Sequence, residues 1–207
     1  MHFTQQRWCT LSGNMNIEVV YEEFQKLKVA YSGKHRAYHT IQHVSECLEK
    51  LDWARSKGYS ENLPQIEMAL WYHDAVYNPR SKNNECDSAD LCRKFLNQAG
   101  VNTRQLEAIY KMIMVTQHTS IPGTPSEQLV VDIDLAILGA DEKRFAEYEA
   151  QIRQEYNWVP WFLYKKKRRE VLQSFLQRQR IFSTNIFYEA YEEQARSNIL
   201  NSIQSLN

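Results

Sequence analysis

Apolar side chains recur along most of the chain at steps of three and four residues, the spacing of one helix face. Trp8 and Leu11 predict a short opening helix within residues 1–14 that packs on the body, with a frayed tail as the alternative. Ile17, Val20, Tyr21, Phe24, Leu27 and Tyr31 make the next stripe, closed by Gly33. Ile41, Val44, Leu48 and Leu51 follow, with Gly58 placed as a residue just past a helix end. Pro64 suits a first helical turn, and Ile66, Ala69, Leu70, His73 and Tyr77 share the face behind it until Asn78-Pro79 stops the helix. A polar connection from Arg80 to Asn84 leads to the stripe Ala89, Cys92, Phe95, Leu96 and Ala99, stopped at Gly100. Thr103 is placed to cap a helix carrying Leu106, Ile109, Tyr110 and Ile113.

Pro122-Gly123-Thr124-Pro125 is the clearest loop. After Ser126, the run from Leu129 to Leu138 is apolar on every side and ends at Gly139, which predicts a central, buried helix. Its β-prone residues also suit a strand, but a lone strand between helices would have no partner. Asp141 opens a helix with Phe145, Tyr148 and Ile152; another runs from Pro160 through Leu172 and Phe175; the last carries Phe187, Tyr191, Ala195, Ile199 and Ile203. The expected fold class is all-α, a helical bundle forming a single domain over residues 1–207, with no internal repeat, low-complexity segment or boundary.

Composition narrows the partners. The 207 residues suit one well-buried domain. Lysine plus arginine (25) balance aspartate plus glutamate (25), and a neutral chain lacks the basic excess that binding to a nucleic acid polymer needs. A pocket for one phosphate stays open. The run Lys165-Lys166-Lys167-Arg168-Arg169 reads as a solvated helix face in this setting. Cys9, Cys47, Cys86 and Cys92 form no CxxC pair and no structural-zinc spacing, so they read as reduced, packing thiols. Residues 1–14 hold no apolar leader core, and no apolar run approaches the roughly 18 residues of a membrane span. Together these predict a soluble, cytoplasmic protein with no membrane partner; a homo-oligomer is left open.

The informative residues are polar ones on apolar faces, because burying an unpaired polar group costs roughly 2–7 kcal/mol and a charge more. His73 and Asp74 stand inside Met68–Tyr77, Asp132 and Asp134 inside the most apolar helix, and His43 beside a stripe, one turn after His39. Neighbours on a helix point about 100° apart, yet a His-Asp pair can lean onto one ion from its flank. Imidazole and carboxylate together suit Mn, Fe, Co, Ni or Zn, with Mg also accommodated. A core histidine satisfied by a neighbour, beside a helix-linking aspartate, is the plainer alternative.

The ordered set His43, His73-Asp74, Asp134 resembles the HD superfamily of metal-dependent phosphohydrolases. The flanking words carry the likeness further: Tyr38-His39-Thr40-Ile41-Gln42-His43-Val44, Trp71-Tyr72-His73-Asp74-Ala75-Val76-Tyr77, Asn84-Glu85 with Ser88-Ala89, and Asp132-Ile133-Asp134-Leu135 with Leu138-Gly139. The likeness runs from Arg7-Trp8 to Ala195-Arg196 and is similar to the predicted phosphohydrolases of this length. It implies an HD-type bundle with one divalent metal ion near its centre, ligated by His43, His73, Asp74 and Asp134. It implies hydrolysis of a small phosphate ester, a nucleotide foremost, by a metal-activated water. Asp134 is preferred to Asp132 because a short apolar turn follows the family's aspartate, which leaves Asp132 to support the site or pair locally.

Around that set, Asp74 and Glu85 are candidates for the catalytic machinery, Glu85 as general acid or base or as an ordinary first-turn acid. His118 is a candidate to donate to a leaving group, to hold a second metal, or simply to be exposed. His39, Arg36, Arg80 and Lys82 are candidates for phosphate binding. No histidine lies between Asp74 and His118, which favours one metal over two. Two rivals remain: an HD-type oxygenase with a mixed-valence di-iron centre, and a non-catalytic ligand-binding or interaction module with a structural metal.

Overall fold

The computed structural model describes residues 2–18 and 21–206. The chain is all-helical: ten α-helices lie among these residues, with no strand. They are α1 (Gln5–Asn14), α2 (Tyr21–Ala30), α3 (Ile41–Ser56), α4 (Leu63–Tyr72), α5 (Asn84–Gln98), α6 (Thr103–Met114), α7 (Pro125–Leu135), α8 (Glu142–Glu155), α9 (Trp161–Leu176) and α10 (Asn185–Ser205). Short 3-10 turns at Val115–Gln117 and Ala136–Gly139 continue α6 and α7. Val20, expected in the second stripe, lies outside the described residues. Among the described residues, no helix is long and apolar enough to cross a membrane.

Contacts divide the chain into two compact units, Met1–Val131 and Asp132–Asn207. The dividing point falls inside α7, where no change of composition marks it.

In the first unit, α1 is docked and not frayed. Thr4 caps it by accepting from the Arg7 amide, and Trp8 and Leu11 are buried. Arg7 grips Asp52 of α3 through two bonds of 2.6 and 2.9 Å and Glu67 of α4 at 2.8 Å. Trp71 forms the aromatic centre, with ring centroids of Phe3, Trp8 and Phe24 at 4.4, 5.4 and 6.2 Å. Tyr72 donates to the buried Glu23 carboxylate at 2.8 Å, which Lys26 neutralises at 2.9 Å. Gly58 closes α3 with φ +96°, a conformation that favours glycine. The cap of α6 is Asn102, not Thr103: the Asn102 side chain accepts from the Gln105 amide, and Thr103 is the first helical residue.

The second unit is tied at two points. Asp132 accepts from the amides of Ser183 and Thr184 and from the Thr184 hydroxyl, all at 2.7 Å, and so holds the start of α10. Gly139 lets α10 pass closely: a β-carbon there would stand 2.7 Å from both Cβ and the carbonyl oxygen of Tyr191. The basic run on α9 is not uniformly solvated. Arg168 shares the buried face of Tyr164, Leu172 and Phe175, and its guanidinium pairs with Glu149. Arg169 donates to the Leu206 carbonyl at 2.7 Å, while Lys167 meets Glu170 at the surface.

Candidate metal centre

The expected helix through Asn78 ends early. α4 stops at Tyr72, with His73 as its C-cap, so His73 and Asp74 stand in a turn and not on a continuing helix face. Groups distant in sequence enforce the break. The Ala75 amide turns back to the Tyr72 carbonyl at 2.8 Å, and the Val76 amide is taken by the Ser88 hydroxyl of α5 at 3.0 Å. Arg36 supplies the other half: Nη1 donates to the carbonyls of His39 and Asp74, each at 2.8 Å, and Nη2 to that of Ala75 at 2.9 Å. The carbonyls that the ended helix leaves over are met by other groups: that of Leu70 by His73 Nδ1, that of Trp71 by the Tyr31 hydroxyl and that of Tyr72 by the Ala75 amide.

The turn aims two side chains at a third. His43, from the first turns of α3, puts Nε2 3.0 Å from His73 Nε2 and 3.3 Å from Asp74 Oδ2. His73 Nε2 is 3.1 Å from the same carboxylate oxygen, which closes a nearly equilateral triangle. Both histidines are buried, and Asp74 is almost so. His73 Nδ1 faces the Leu70 carbonyl at 3.0 Å. A carbonyl only accepts, so Nδ1 carries the hydrogen and neutral His73 presents a bare lone pair at Nε2. Burial pushes the Asp74 carboxyl up, but the charge that His73 and His39 carry when protonated, with hydrogen bonds from His43 and His73, outweighs it and holds the carboxyl well below the usual carboxylate range.

This donor set fits a metal. Ligands about 2.1 Å from one ion stand roughly 3.0 Å apart across a right angle and roughly 3.4 Å apart in a tetrahedron. The three edges of 3.0, 3.1 and 3.3 Å span that interval. Two imidazoles and a carboxylate on one face would leave the other coordination positions to further ligands, water or substrate.

Cys47 also enters the picture and was overlooked as a packing thiol. It lies one turn beyond His43 on α3, buried, and it belongs with His43 and His73 to a group whose ligand atoms lie within 4.8 Å of one another and could hold a metal ion. Its Sγ is 3.8 Å from both ring nitrogens of His43. That equal spacing places Sγ on the plane that bisects the two ring nitrogens, beside the triangle. The four-residue step from His43 was the signal available in sequence.

The remaining candidates are dispersed in role. His39 stacks on Tyr77 at 4.2 Å between centroids and meets the His43 ring edge-on at 5.9 Å, so it stands beside the triangle. Arg36 gives its terminal nitrogens to main-chain carbonyls and positions the turn. Arg80 and Lys82 are exposed on the 78–84 connection, which Asn78 and Asn84 clasp through bonds of 2.9 and 3.0 Å. Glu85 is half-buried in the first turn of α5. His118 follows the 3-10 turn with φ +56°, a left-handed conformation uncommon outside glycine. Asp134 stands, partly exposed, in the last turn of α7 within the second unit. Asp132, its neighbour, is committed to the start of α10.

Comparison of the chain with protein-family models, curated proteins and solved structures finds no match to any of them.

Proposed function

We propose that this chain is a metal-dependent phosphohydrolase acting on a small phosphate ester, with nucleotides as the first class to test. The observation that carries the reading is the buried triangle of His43, His73 and Asp74, whose edges suit ligands of one divalent ion. The sequence resemblance to the HD superfamily supplies the reaction and adds Asp134 as a fourth ligand. A divalent ion held there would supply Lewis acidity, lowering the pKa of a bound water and polarising a phosphoryl oxygen.

The chain's own groups have separable tasks in this reading. The Leu70 carbonyl fixes the tautomer of His73, and Arg36 holds the turn that presents Asp74. His39, beside the triangle, contacts phosphate together with Arg80 and Lys82 from the 78–84 connection. Glu85 and His118 serve as the proton-handling candidates.

A second reading is favoured by one specific feature: two histidines and one carboxylate on a single face is also the ligand set of oxygen-activating iron sites. Metal content after purification without chelators decides the first step, with wild type and His73→Ala compared. A divalent metal near one per chain, sharply reduced in His73→Ala and in Asp134→Ala, is the expected result, followed by phosphate release from a nucleotide panel. No metal in the wild type, and none taken up from Mn, Co, Ni or Mg, would overturn the proposal. Iron with oxygen consumption and no phosphate release would establish the second reading in its place.

A further inference from the structure

A second concavity lies wholly within the second unit, a cavity of about 640 Å³ walled by α8, α9 and α10. That volume falls in the range of small-molecule sites, roughly 300–1,000 Å³. Its wall is largely apolar and aromatic, with Phe145, Ala150, Tyr164 and Leu206 among the lining residues. Trp161 also lines it and is half-exposed, at 52%, although a ring of this size normally finds cover.

The polar groups of the wall are not equally available. Glu149 is neutralised by Arg168 and accepts from the Ser202 hydroxyl at 2.9 Å. Asn198 spends its amide on the carbonyls of Leu138 and Ala140 at 2.9 and 2.8 Å. Glu142 is exposed at the rim. Arg153 is different. Among the described residues only its Nη1 is engaged, by the carbonyls of Tyr156 at 2.7 Å and Val159 at 3.1 Å. Its guanidinium lies against the Trp161 and Tyr164 rings at 5.3 and 4.8 Å. The positive group is thus held rigidly on the cavity wall by neutral partners, while Nε and Nη2 keep donors to offer.

We propose that this cavity binds a small aromatic carboxylate, its ring lying against Trp161 and its acid group on the unspent edge of Arg153. The guanidinium fork matches a carboxylate, and pre-ordering by two carbonyls and two rings reduces what binding must immobilise. The aromatic rings of the wall favour an aromatic body over a bare anion. This site is independent of the metal centre and of the reaction proposed for it.

The test titrates 2-naphthoate, and separately its uncharged amide 2-naphthamide, into the full chain by calorimetry and saturation-transfer NMR. Saturable binding of the acid is expected, at least about tenfold tighter than the amide. Arg153→Gln is expected to remove that preference, and Trp161→Ala to weaken both compounds. His73→Ala should bind as wild type does, so failure of the metal reading would leave this result intact. Absence of saturable binding, equal affinity for acid and amide, or an acid preference that survives Arg153→Gln would each overturn the proposal. The acid–amide comparison needs no variant and holds even where Arg153→Gln fails to fold.

Discussion

Arg36 carries its charge into the site and gives its terminal nitrogens to main-chain carbonyls. Three bonds of 2.8–2.9 Å run to His39, Asp74 and Ala75, and the Tyr31 and Tyr77 rings flank the guanidinium at 5.1 and 5.2 Å. One residue therefore joins the segment before α3, which leads to His43, to the turn that presents His73 and Asp74. Hydrogen bonds from a charged donor are each worth about 1.5–3 kcal/mol, and the carbonyls left behind would be buried. Arg36→Ala is expected to cost about 3 kcal/mol or more in stability and to lower metal affinity without removing any proposed ligand. Arg36→Lys, a point charge without the fork, should recover only part of both. Chemical denaturation paired with metal titration checks this; unchanged affinity in Arg36→Ala would show that the turn holds itself.

At the scale of elements, the helices were legible and their ends were less so. Spacing near 3.6 located all ten, because each buries one stripe and glycines such as Gly58 and Gly100 mark several stops. The end of α4 was misplaced by six residues, since Arg36 and Ser88, not Asn78-Pro79, set it. Periodicity sees only neighbours along the chain. Arg168 has a different cause: its i±4 neighbours Tyr164 and Leu172 mark a buried face within the chain's own periodicity, but the run of five basic residues masks it. Asp132 is a further case: expected to support the site or pair locally, it holds Ser183 and Thr184, more than fifty residues along the chain. Asp132→Ala strips three 2.7 Å bonds from the start of α10. A loss of about 2–3 kcal/mol is expected in the second unit, read as faster hydrogen exchange at the Ser183 and Thr184 amides. Exchange unchanged at those two amides would refute it.

For the whole molecule, the ligand-type residues were legible because burial of charge must be compensated, and His43, His73 and Asp74 compensate one another. What a sequence cannot carry is which lone pair faces which: the His73 tautomer follows from the Leu70 carbonyl, and Cys47 joins the group through the helical turn it shares with His43. Nor did it reveal the division within α7, since an apolar helix looks the same whichever core it serves. The triangle leads to a last prediction. Two imidazole nitrogens and a carboxylate oxygen at 3.0–3.3 Å need a proton or a cation among them, so binding a divalent ion should stabilise the native chain. An ion about 100-fold above its dissociation constant contributes about 2.7 kcal/mol by mass action. Mn or Mg is preferable to Zn in this test, because unfolded chains with free Cys and His bind Zn and mask the effect. Thermal unfolding of the wild type should shift upward with added Mn and return on chelation, whereas His73→Ala, keeping the rest of the fold, should show neither change. A shift of equal size in His73→Ala would place the ion elsewhere and detach the triangle from the proposed reaction.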